Sequence, residues 1–206
     1  MIRRWMAAGA LALASLALHA QAPEPEAPLK EIQIAPEAFQ RGGPVPAWAD
    51  LLPLPPEDPA LPSRPLVVRL ADSHLLAGPP SAYLVNRAEQ AREASALGAI
   101  GQAALGFNPQ YQRLLLHRVH IVRNGSVIDH TATVPVRFLQ RETGLEQGIY
   151  SGVITATLVL PDVRVGDTLH LVYTVEGSNP ILGARYADAS SWDQASPTQV
   201  RRVTLN

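Results

Sequence analysis

Six histidines are the first residues to weigh for chemistry, because the chain holds no cysteine and only one lysine, Lys30. The missing thiols exclude cysteine nucleophiles, disulfides and thiolate metal sites, and a single lysine leaves little scope for Schiff-base chemistry. His117 and His120 are three apart in a run that alternates like a strand. Their side chains should therefore leave opposite faces and not share a metal. His74 and His170 stand alone in sequence, and His19 belongs to the N-terminal segment that reads as a cleaved signal. With no ligand spacing and no cofactor motif, neither a metal nor a cofactor is expected.

Three constellations remain. Asn124-Gly125 is a strong hairpin signal, because both central residues of a type I′ turn need positive φ. A two-residue loop there sets Arg123 opposite Ser126, Ile121 opposite Ile128 and His120 opposite Asp129. A His/Asp pair can orient an imidazole as in a catalytic triad. The sequence places no serine beside it, so an exposed cross-strand pair is the plainer reading. Glu142 and Glu146 are carboxylates of the type that cleave glycosides, but Gly144 and Gly148 around them indicate a loop, where capping or salt-bridging is simpler. Trp192 and Tyr186, with Asn179 and Asp188 nearby, either stack on a sugar or seal one end of the domain. The sequence leaves both open. No catalytic, cofactor-binding or metal-binding residue is assigned.

The elements that must position these residues read as strands from Pro65 onward. Leu169, Leu171, Tyr173 and Val175 alternate with Thr168, His170, Val172 and Thr174. Ile154, Ala156, Leu158 and Leu160 likewise alternate with Thr155 and Thr157. Arg113 to Val122 and Val127 to Leu139 are two further long strands around the turn, Leu66-Val67-Val68 marks an earlier one, and Arg201 to Leu205 is the last. Arg87 to Leu105 disagrees. Its seven alanines among Glu, Gln and Arg are helix composition and predict a helix over about 87–97.

Fourteen of the 19 prolines lie between Gln21 and Pro80. That density denies backbone donors to helix interiors and central strands, so a leader over 21–63 should be extended and without regular structure. Trp48 and Leu51-Leu52 are apolar enough to dock it back on the domain. Ahead of it, Arg3 and Arg4 precede an apolar run from Met6 to Leu18 and the small residue Ala20. This reads as a secretory signal peptide, too short to span a bilayer. A periplasmic or secreted protein is expected, touching membrane only through that segment. The net charge of −1 removes the electrostatic case for nucleic acid.

Several phrases together resemble one family. They are Phe107-Asn108-Pro109-Gln110-Tyr111-Gln112, Leu116-His117-Arg118-Val119, Arg123-Asn124-Gly125, Phe138-Leu139-Gln140-Arg141-Glu142, Leu145-Glu146, Tyr150-Ser151-Gly152 and Asp162-Val163-Arg164-Val165-Gly166-Asp167. Over about 83–205 the chain is similar to the domain of unknown function that precedes a transglutaminase-like core in secreted and periplasmic bacterial proteins. The resemblance implies an all-β fold, an immunoglobulin-like antiparallel β-sandwich, with strands rather than a helix across 87–105. It also implies that the chemistry belongs to the following core, where a Cys, a His and an Asp form the nucleophilic site. No catalytic residue carries over to a chain without cysteine. The expected layout is a signal peptide over 1–20, a Pro-rich leader over 21–63 and the β-sandwich domain over 64–206. The expected function is a non-catalytic module that packs on, positions or gates a transglutaminase-like catalytic domain, carried in cis in longer relatives. The alternative is a free-standing binding module for a polysaccharide or peptide of the cell envelope.

Overall fold

A computed structural model describes residues 29–140, 151–183 and 196–206. The signal segment, Glu142, Glu146, Tyr186, Asp188 and Trp192 lie outside the described residues. Among the described residues no helix is long and apolar enough to cross a membrane.

The chain is mostly β. Its strands are β1 (Lys30–Glu31), β2 (Phe39–Arg41), β3 (Leu66–Leu76), β4 (Ala82–Ala91), β5 (Gln102–Phe107), β6 (Arg113–Arg123), β7 (Ser126–Asp129), β8 (Val136–Gln140), β9 (Ile154–Val159), β10 (Thr168–Glu176) and β11 (Thr198–Leu205). One sheet has the order β1-β8-β9-β5, and the larger has β11-β3-β4-β10-β6-β2, with β7 also paired to β6. Apolar side chains at alternate positions bring the two together: Leu105, Phe107, Ile154, Ala156 and Leu158 of the small sheet share a core with Leu114, Leu116, Val119, Ile121, Leu169 and Leu171 of the large one. The alternation read in β9 and β10 therefore places the expected faces inward. The hairpin also has the expected register, His120 opposite Asp129 and Arg123 opposite Ser126, with positive φ at Asn124 and Gly125.

Four expectations need correction. The sheets are not purely antiparallel, because β11 runs parallel to β3 and β2 parallel to β6. Both are outlying strands that arrive through long connections, as parallel pairing requires. Val127 to Leu139 is not one strand. It breaks after β7 into a turn closed by the His130 carbonyl, which accepts from the Thr133 and Val134 N–H groups, and Pro135 precedes β8 in the other sheet. The helix that composition predicts over about 87–97 does not form, and the strands that the resemblance implies across 87–105 are interrupted. The segment continues β4 to Ala91, makes a five-residue helix α1 (Leu97–Gly101), and enters β5. Hydrogen-bonded between β3 and β10 with most of its residues buried, β4 accepts small alanine side chains, and tertiary pairing overrides helix propensity.

The fourth correction concerns the leader. Its residues from 29 onward carry β1 on β8, a single 3₁₀ turn at Pro36–Ala38, and β2 on β6, so this stretch supplies an outer strand to each sheet. Residues 50–57 form no helix or strand, as proline dictates, yet they are fastened across the large sheet. The link to β3 is a mostly exposed tether over 58–65, held by a small turn at Asp58. A protease site inserted between Ala60 and Leu61 is expected to be cut with the two fragments still co-eluting in native size-exclusion chromatography and parting only in denaturant. Separation in buffer would show that the leader is not docked.

Candidate functional site

The face of the large sheet turned away from the core is where polar side chains are buried. The period of two sets Asp72 and His74 of β3, Asn86 and Gln90 of β4, Thr168, His170 and Thr174 of β10, and Arg202 of β11 on this side. Asp72 and Asn86 are fully buried, His74 is 1% exposed and His170 6%.

Asp72 is the hub. Its Oδ1 accepts from Arg202 Nε at 2.7 Å, and its Oδ2 accepts from Arg202 Nη2 at 3.1 Å, Asn86 Nδ2 at 3.0 Å and the Leu52 backbone N–H at 2.9 Å. Burial alone would raise this carboxyl, but those donors outweigh it and hold Asp72 below the ordinary carboxylate value. His74 Nε2 lies 3.2 Å from Asp72 Oδ1 and 3.1 Å from Arg202 Nη2. Asn86 Nδ2 also donates to the Leu52 carbonyl at 2.9 Å. That bond fixes the amide orientation, so Asn86 Oδ1 is the acceptor 2.8 Å from His170 Nε2, and His170 carries its proton there.

The proline-rich stretch closes this face. Besides Leu52, its Pro55 carbonyl accepts from Arg69 Nη2 at 2.6 Å, its Pro56 carbonyl from Gln199 at 2.8 Å, and its Asp50 carbonyl from Arg202. Gln90 donates to Glu57 at 2.9 Å. Side chains from β3, β4 and β11 thus satisfy backbone groups that a proline-rich segment cannot satisfy itself.

Imidazoles continue the polar face toward β6. His117 was expected opposite His120, but β6 carries an irregularity at this point: Tyr173 pairs with Leu116 and Val172 with Arg118, which skips His117. The skip turns His117 to the side of Thr174, whose Oγ1 is 2.9 Å from His117 Nε2, and hence to the side of His120 and His170. The His120 and His170 rings meet edge to face at 6.4 Å. His120 Nε2 is 3.6 Å from Asp129 Oδ1, with Asp129 largely exposed, so the predicted pair is a weak surface one. Among the described residues no three His, Cys, Asp or Glu side chains are grouped to hold a metal.

What this arrangement does chemically is fasten chain segments. His74 and Asp72 sit side by side, but their hydrogen bonds run to Arg202, Asn86 and Leu52, not to a hydroxyl nucleophile. Motif residues have similar structural work. Asp167 is 1% exposed and takes a fork from Arg123 at 2.8 and 2.7 Å. Asn108 ties Gln110 N–H to the Ser151 carbonyl. Gly152, at φ +64°, lies so close to Asn108 that a Cβ would stand 2.9 Å from its amide. Asn179 caps a 3₁₀ turn by accepting from the Ile181 N–H. Sequence reading missed the Asp72 network because its members come from four separated segments. The available signal was polar residues at alternate positions of otherwise apolar strands.

Fold and site define an all-β module with two packed sheets and a buried polar network under the leader. Residues 82–206 match the family described as "Domain of Unknown Function with solved-structure structure (DUF3857)", and the chain belongs to that family. No curated protein matches it. Among solved structures it is similar, at 13% identity and a TM-score of 0.49, to a protein from Parabacteroides distasonis described as a putative protease. The match covers 55% of this chain and 23% of that one.

The buried imidazole sets a pH dependence. Burial first, then the charges of Arg118, His120 and Arg69, push His170 down to about 4 from an ordinary 6.5. The unfolded chain takes up a proton in that interval and the folded chain does not. The stability His170 contributes is therefore full above pH 6.5 and is lost as pH falls toward 4. Asp72 and Asp167, held below the ordinary carboxylate range, lose their contribution only in stronger acid. Denaturant melts from about pH 7 to 4.5 are expected to weaken progressively, and His170→Gln to flatten that loss by on the order of 2 kcal/mol. An unchanged slope in the variant would contradict the assignment.

Proposed function

We propose that this chain is a non-catalytic β-sandwich module of an exported transglutaminase-like protein, and that it packs on, positions or gates a catalytic core lying outside these 206 residues. The observation that carries the reading is the covered end of the polar face: Asp72, Arg202, Asn86 and His74 are bonded to one another, and residues 50–57 lie over them. A substrate would have to displace that roof to reach His74 or Asp72, and would meet no thiol there, since the chain has none. The apolar start of the chain supports export to the periplasm or beyond. The two facing sheets are consistent with an immunoglobulin-like sandwich.

The surface we assign to the core is beside β5. Between this outer strand of the smaller sheet and β4 and β10 of the larger one lies a groove of about 210 Å³ lined by Val85, Arg87, Glu89, Ala103, Leu171 and Tyr173. The test is amine incorporation into, and hydrolysis of, peptide and peptidoglycan substrates by the purified chain, alone and with a cysteine-containing transglutaminase-like domain. Turnover is expected only when that domain is present. Turnover by the chain alone, abolished by one point substitution in it, would overturn the reading.

A further inference from the structure

A second cavity lies at the opposite end of the polar face from the His170 bond, and the fastening network does not use it. It measures about 430 Å³, within the roughly 300–1,000 Å³ typical of small-ligand sites. It is lined by Pro46 and Trp48 of the leader, Leu76 at the end of β3, and Pro79 and Pro80 of the β3–β4 connection. Thr174 and Glu176 of β10 supply its polar groups.

The chemistry of those groups narrows the ligand. Arg113 Nε and Nη2 both donate to Glu176 Oε2, at 3.0 and 2.8 Å, which neutralises the carboxylate and leaves Oε1 to accept from another donor. A cation drawn to Glu176 would meet Arg113, and an anion would meet the carboxylate. Neither ion is favoured. Thr174 Oγ1 is already held by His117 at 2.9 Å, which leaves Glu176 Oε1 as the acceptor for a ligand. The walls are an indole and proline rings, which suit a flat apolar face. A neutral ring with a C–H face on one side and hydroxyl donors at its edge meets all three conditions.

From this geometry we infer that the Trp48 cavity is a binding site for a neutral pyranose ring of a saccharide. The ring packs its C–H face on Trp48 and donates a hydroxyl to Glu176 Oε1. This site is independent of the groove beside β5 and of any catalytic core, so it stands or falls separately from the module's proposed role.

The experiment is a titration of the full chain with cello-, malto- and N-acetylchito-oligosaccharides, followed by the indole N–H resonance of Trp48 and by calorimetry. One series is expected to shift that resonance saturably. Trp48→Ala should weaken binding about tenfold or more, and Glu176→Gln several-fold. Because Trp48→Ala could loosen the leader, Trp48→Phe is the companion variant. It keeps a stacking face and should bind within about threefold of the parent. No shift with any series up to about 10 mM, affinity unaffected by Trp48→Ala, or occupation of the cavity by a polyproline peptide instead, would each overturn the site.

Discussion

A single carboxylate, Asp72, ties the proline-rich leader to three paired strands of the large sheet. It is fully buried, and four donors reach it: two from Arg202 on the last strand, one from Asn86 on the neighbouring strand, and the Leu52 N–H from the leader. A buried charge is tolerable only when it is paired and fully hydrogen-bonded, and removing one partner of such a pair costs about 3–5 kcal/mol. The leader is thus part of the solvation of Asp72. In return, the sheet satisfies the leader's carbonyls. Neither side can be altered without stranding polar groups on the other.

That mutual dependence explains why the two faces of the large sheet differ. One carries the apolar layer shared with the small sheet, and in β10 the alternation alone predicts it. The other is buried by a covering that has no secondary structure of its own, so its strands alternate apolar and polar residues as if half exposed. Asp72 and His74 in β3, and Asn86 and Gln90 in β4, look like solvent-facing positions by periodicity. They are buried because of 50–57, a segment that periodicity cannot place.

The same contrast marks what was legible in the sequence. Strands β9 and β10, the hairpin at Asn124-Gly125 and the family were readable, because each rests on local alternation, local turn chemistry or a contiguous motif. The strands inside the leader were not, since β1 and β2 are short and gain their donors and acceptors from β8 and β6 far along the chain. Nor was the turn of His117 toward His120, which depends on one skipped residue in β6. Alanine composition misled over 87–97 because helix propensity describes an isolated segment, and β4 is never isolated. The resemblance, carrying tertiary information implicitly, favoured strands there.

The central claim is that the polar face is a fastener between the leader and the sheet. The amide of Leu52 reports on it most directly, since it sits in a stretch with no strand or helix and its acceptor is the Asp72 carboxylate. Native-state hydrogen exchange should find this amide protected to nearly the same free energy as the amides of β4 and β10, opening only when the domain unfolds. Exchange of Leu52 at the rate of an unstructured peptide, with β4 and β10 still protected, would contradict the account.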